Sequence, residues 1–287
     1  VASRGTDSAA PRTLGLQPPG YARTSQLAPL GLWPIEDEKA PVVLIVPALG
    51  TPARIYAGLA AALAAAGLHA AVLELRGVGT SPVRAAPGTD WDYADLVRGE
   101  VAGALAALRE AFPNAPLIAL AHSLGGHLMV LHQANAPAIR LDRLILVGSG
   151  APYWPCYPLT RRATVLAIGW AATLLPRWFG YFPGQRLGFG GRQAAGLMRQ
   201  WARYLLRGVL AEVCPALPSV RLPRDLPVHA LAVAGDTFVT PPGIRHLLAE
   251  AGVEARVETA ALDGAPGHFA WTRQAERMAE IVEGLAM

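Results

Sequence analysis

The sequence predicts an α/β fold: a mostly parallel, doubly wound sheet with a helical cap inserted into it. Three observations carry that prediction. Runs such as Pro41-Val42-Val43-Leu44-Ile45-Val46 are apolar and β-branched without alternation, which suits strands buried on both faces. These runs alternate with helical stretches rich in Ala and Leu, the order that builds a parallel sheet. The alternation stops at Ala151 and resumes at Val228, so residues 151–226 read as an insertion into a core made of residues 41–150 and 227–287. A chain of 287 residues with 52% apolar content is ample for one large core.

Residues 1–40, rich in Pro, Gly, Ser and Thr, read as a flexible start followed by edge strands near residues 12–16 and 30–33. The buried strand 41–46 leads through the turn Pro47-Ala48-Leu49-Gly50 to a helix over 55–66, ended by Gly67. A strand over 70–75 precedes the Gly-rich loop Arg76-Gly77-Val78-Gly79-Thr80-Ser81. That loop lacks the third glycine and the directly following helix of a dinucleotide site, so no nucleotide is expected there. Residues 92–112 predict a long helix, acidic early and basic late as the helix dipole favours. Strands over 117–122 and 141–147 follow. After the insertion come a strand over 228–233, a helix over 241–251, a strand over 255–261 and a last helix from Thr272.

The insertion is distinctive. It holds eleven of the twenty aromatic residues, and ten arginines against two acids, a net charge of +8. Leu197, Trp201, Tyr204 and Leu205 recur at helical spacing, with Arg199, Arg203 and Arg207 on another face, which predicts an amphipathic helix. One reading packs its aromatic stripe on the core with arginines in solvent. The other gives the cap an aromatic pocket (Tyr153, Trp154, Trp178 and Trp201) and an anionic partner.

The chemistry centres on Ala119-Leu120-Ala121-His122-Ser123-Leu124-Gly125-Gly126. A strand-type run stops at a serine, two glycines follow, and a helical pattern begins. This is a G-x-S-x-G nucleophile elbow with Ala121 in place of the first glycine. Its strained turn lifts a hydroxyl to the C-terminal edge of the sheet. A serine needs a base, and the base an orienting carboxylate. Asp236 and His268 each follow a strand and complete the chain order Ser…Asp…His, with Asp263 a substitute acid too near His268 in sequence to do more than shape its loop. Backbone N–H groups of Leu124, after the serine, and Leu49, after the first central strand, are the expected oxyanion donors. His127 and His132 are five apart, not four, and no C-x-x-C spacing occurs, so neither metal nor cofactor is expected. Cys156 and Cys214 point to a reducing, cytoplasmic setting and leave one disulfide open. Residues 1–11 show no apolar signal segment, and the run 163–175 is shorter than the roughly 20 residues a membrane span needs.

With these residues in place, the chain resembles the alpha/beta-hydrolase-fold serine hydrolases over residues 40–287. More narrowly it resembles a bacterial "predicted alpha/beta hydrolase" group related to serine aminopeptidases and monoglyceride lipases. In that group Pro47-Ala48-Leu49-Gly50 stands where most members carry His-Gly. The segments Trp178-Phe179-Gly180-Tyr181-Phe182-Pro183-Gly184 and Arg199-Gln200-Trp201-Ala202-Arg203 are similar to its cap. The resemblance implies a serine-dependent acyl hydrolase, esterase or thioesterase. An acyltransferase or acyl-eliminating enzyme using the same groups is the alternative, and a non-catalytic binding member of the fold a second one. The expected partner is a small acyl substrate, neutral, anionic or carrier-protein-bound. Peripheral membrane contact is compatible with the basic cap; a nucleic-acid partner is not expected.

Overall fold

The computed structural model describes residues 12–16, 28–135, 137–254, 257–260 and 267–286. The expected flexible start at residues 1–11, the substitute acid Asp263 and the loop residues 264–266 lie outside the described residues. In chain order the elements are β1 (Arg12–Leu16), β2 (Ala28–Trp33), β3 (Val42–Val46), α1 (Ala57–Ala65), β4 (His69–Leu73), α2 (Tyr93–Asp95), α3 (Ala102–Ala111), β5 (Leu117–His122), α4 (Leu124–Ala134) and β6 (Arg143–Val147). They continue with α5 (Leu159–Phe179), β7 (Tyr181–Pro183), β8 (Arg192–Ala194), α6 (Ala195–Arg207), β9 (Val228–Ala232), α7 (Pro241–Glu250), β10 (Val257–Thr259) and α8 (Ala275–Ala286).

Eight strands form one sheet in the order β1-β2-β4-β3-β5-β6-β9-β10. β4 through β10 in that order run parallel, while β1 and β2 add an antiparallel edge. This is the mostly parallel α/β sheet that the uninterrupted apolar runs require. Every residue of β3 is buried: Val42, Leu44 and Val46 join the core on one face, Val43 and Ile45 the core on the other. Each such side chain contributes roughly 1.5–3 kcal/mol by leaving water, so a polar residue in the run is tolerated on neither face.

Several boundaries shift for local reasons. The first helix opens as a tight 3-10 turn at Ala53–Tyr56 before α1, because Pro52 supplies no side-chain cap. The single long helix expected over 92–112 is α2 and α3 joined by a π-helical stretch at Leu96–Val101, started by Asp92 and Asp95 in a reciprocal capping box. The last helix begins at Ala275, since Ala270–Arg273 form a 3-10 turn. The inserted segment between β6 and β9 is not wholly helical: α5 and α6 are separated by the short antiparallel pair β7–β8. Two three-residue strands are too short to show a period of two.

The Gly-rich loop is knit by carboxylates. Arg76 makes two bonds of 2.5 and 2.7 Å to the buried Glu100, and Glu74 accepts from the backbone N–H groups of Ala53 and Thr80. Gly79 sits tight against the Glu74 carboxylate and Gly77 against the Trp91 ring, where a β-carbon would clash. Cys156 and Cys214 are both free thiols.

Candidate active site

Ser123 sits between β5 and α4 with φ +52° and ψ −114°, a left-handed backbone that no other non-glycine residue adopts among the described residues. Such a conformation is held against its cost of roughly 1–3 kcal/mol only by surrounding structure. Here Ser123 N–H donates to the Val147 carbonyl of β6. A β-carbon at Gly125 would overlap the Val46 carbonyl oxygen, and one at Gly126 would overlap the Ser149 hydroxyl. Ser149, which the sequence did not single out, is buried beneath the elbow, its hydroxyl 2.9 and 3.0 Å from the Ala121 and Ser123 carbonyl oxygens. Only its place just after β6, in Gly148-Ser149-Gly150, signals it.

Asp236 follows β9 through Gly235. One carboxylate oxygen accepts from the backbone N–H groups of Phe238 and Val239 at 2.8 and 3.0 Å. The other accepts from His268 Nδ1–H at 2.6 Å, with the side chains 2% and 6% exposed. That bond leaves His268 Nε2 as the nitrogen available to a reacting group. Ser123 and His268 border one cavity of about 670 Å³, roofed by the inserted segment and walled by the loops after β3 and β9. Leu49 and Leu124, the expected N–H donors, border it too.

A second polar chain underlies these groups. The Tyr56 hydroxyl accepts from Ala48 N–H at 3.1 Å and lies 2.8 Å from His122 Nδ1. Trp271 Nε1–H donates to His122 Nε2 at 3.4 Å, and the His122 and His268 rings are 4.6 Å apart. Burial, then the neighbouring His268, holds His122 well below the usual imidazole range, so it stays neutral. Tyr56 and Trp271 were missed by sequence reasoning, as nothing in their local pattern points to the elbow. His122, the residue before the serine in the elbow, lies fully buried.

The aromatic residues expected in the pocket divide. Trp201 borders the cavity, 5.3 Å from Phe189. Tyr153 packs against His246 and the backbone at Gly208, and Trp154 lies beside Arg162; neither borders the cavity. Trp178 is a correction: it stands on the outer face of α5, 85% exposed. Phe189, Phe238 and Phe269 line the cavity instead, brought in from loops whose sequence carries no periodic signal.

The sequence profile of the serine aminopeptidase S33 family matches residues 37–187, more than half the chain and including the elbow. The chain belongs to this family. It is accordingly an enzyme of the serine hydrolase type, on the alpha/beta-hydrolase fold. The family match ends before Asp236 and His268, which pair with each other, His268 bordering the cavity that Ser123 borders. No curated protein matches in sequence. Among solved structures, a soluble variant of the monoglyceride lipase of Saccharomyces cerevisiae is similar at 15% identity and a TM-score of 0.66, covering 99% of this chain and 98% of its own. A thioesterase domain from the curacin biosynthetic pathway is similar at 18% identity and 0.59, covering 95% and 99%. A haloalkane dehalogenase loop variant from Bradyrhizobium elkanii is similar at 17% and 0.61, covering 96% of each chain. At these identities the likeness concerns the fold alone.

Proposed function

We propose that this S33-family hydrolase is a serine-dependent acyl hydrolase acting on carboxylic esters or thioesters with a hydrophobic acyl part. One observation carries the reading: the strained Ser123 and the Asp236-oriented His268 face the same largely apolar cavity. Ser123 Oγ attacks the acyl carbonyl while His268 Nε2 takes its proton. Asp236 fixes the tautomer and stabilises the imidazolium that forms. The oxyanion lies against the N–H groups of Leu49 and Leu124. Leu124 opens α4, so its N–H is one of the donors a helix start leaves unused, and the Tyr56 hydroxyl takes the neighbouring Ala48 N–H. Each oxyanion donor is worth about 2.7–4 kcal/mol in the transition state. His268 returns the proton to the leaving group, then activates the water that releases the acid.

The test is intact-protein mass spectrometry after mixing with p-nitrophenyl esters and acyl thioesters, wild type beside Ser123→Ala. The expected result is an acyl adduct on the wild type that discharges in water and is absent from the variant. Turnover by Ser123→Ala at the wild-type rate refutes the reading. An adduct that waits for an added alcohol or amine assigns acyl transfer instead.

A further inference from the structure

We propose that Arg161 selects acyl substrates carrying an anionic group, a carboxylate or a phosphate, away from the scissile carbonyl; this rests on the acyl-hydrolase reading above. Arg161 borders the same cavity as Ser123 and His268. Among the described residues no Asp or Glu borders that cavity, and Arg161 is the Lys or Arg that does. Its neighbours on the chain and in the cap are engaged elsewhere. Arg162 donates to the Pro155 and Tyr157 carbonyls at 2.8 and 3.0 Å and covers the Trp154 ring at 5.7 Å. Arg199 and Arg207 pair with Asp90 and Glu212. The Arg161 guanidinium has no such partner among the described residues, and it is exposed at the cavity rim.

Two further features favour an anion at that rim. Thr160 and Thr164, spaced to share one face of α5, also border the cavity and bring hydroxyl donors. The first turn of α5 carries no acid, so no side chain of that turn opposes the positive end of the helix. A guanidinium binds either oxyanion through parallel N–H donors. The other walls are mainly apolar, so among the described residues Arg161 is the cationic side chain that an anionic end entering the cavity meets. An acyl chain with its carbonyl at Ser123 and an anionic far end shares this one cavity with Arg161.

The experiment compares kcat/KM for p-nitrophenyl hexanoate with that for the analogues ending in a carboxylate and in a phosphate, using wild type, Arg161→Gln and Arg162→Gln. The wild type is expected to prefer at least one anionic ester. Arg161→Gln should cut that anionic-to-neutral ratio about tenfold or more, the loss of a charged hydrogen-bonded pair. Arg162→Gln should keep it, and added salt should shrink it in the wild type. The anionic ester that loses more identifies the group recognised. A wild-type ratio at or below one, or a ratio that Arg161→Gln leaves unchanged for both anions, overturns the proposal. Fluorophosphonate labelling of Ser123 in the same samples separates the two failures. A labelled serine with an unchanged ratio removes the selectivity alone, whereas an unlabelled serine with no turnover of any ester removes the hydrolase reading beneath it.

Discussion

At Ser123 the backbone is the chemistry: a left-handed serine is kept only because nothing larger than hydrogen occupies the next-but-one position. Gly125→Ala puts a methyl against the Val46 carbonyl, in the main chain of a fully buried strand that has no room to move. We expect a loss of about 1–3 kcal/mol in urea unfolding and a fall in kcat of at least about tenfold, since any relief rotates the serine. Tyr56→Phe is gentler. It removes one hydroxyl that satisfies both Ala48 N–H and His122, leaving buried groups unpaired at a cost of about 1–3 kcal/mol. On the acyl-hydrolase reading, freeing the loop after β3 from Tyr56 loosens the proposed oxyanion donor at Leu49. The variant should therefore lose kcat more than it raises KM, a split that steady-state kinetics reads directly.

At the scale of the element, α5 and α6 show how one composition serves two surfaces. α6 buries Leu197, Tyr204 and Leu205 and turns Arg199 and Arg207 toward Asp90 and Glu212, as its amphipathic spacing requires. α5 keeps only Val165, Gly169, Ala172 and Pro176 buried, so Trp170, Leu174 and Trp178 stay exposed. Among the described residues, no helix is long and apolar enough to cross a membrane. Trp201→Ala and Trp178→Ala should thus part company. The first removes a half-buried cavity wall packed on Phe189 and should cost about 1–3 kcal/mol in stability and weaken turnover of long-chain esters. The second should stay within about 0.5 kcal/mol of wild type in thermal and urea unfolding. The α6 helix was legible because its apolar and basic residues repeat at fixed spacing. The placing of Trp178 was not, because an aromatic residue in a sequence looks the same whether its helix face is covered or bare.

For the whole molecule, the buried histidines set a pH limit. Burial lowers His127 and His132 from 6.5 to about 4. The unfolded chain binds protons at these sites below about pH 6.5 while the folded chain refuses them until about pH 4. Their neutral, buried state is thus fully compatible with folding above pH 6.5, and stability drains away as pH falls from 6.5 toward 4. The loss should total a few kcal/mol, visible as a lower urea midpoint at pH 4.5 than at pH 7 with an unchanged slope. His132→Gln should shrink that difference if the native packing is kept.

Local pattern in the chain dictates the sheet and the turn at the serine. The uninterrupted runs at β3, β5 and β6 demand burial on both faces, hence a parallel sheet covered by helices. The Ala121–Gly125 spacing demands a tight strand-to-helix turn at a serine, and Asp236 and His268 follow strands whose ends a parallel sheet must gather on one edge. Contacts between distant segments are legible in the folded chain alone, and packing makes the rest of the site. It placed Ser149 beneath the elbow and tied Tyr56, His122 and Trp271 together. It put Phe189 and Phe238 in the cavity and Trp178 outside it, and left Arg161 facing that cavity while Arg162 is bound. The physical reason is that periodicity records which face of an element leaves water, whereas a site is made where several elements end. Which side chains meet there is set by packing that no single stretch of chain encodes.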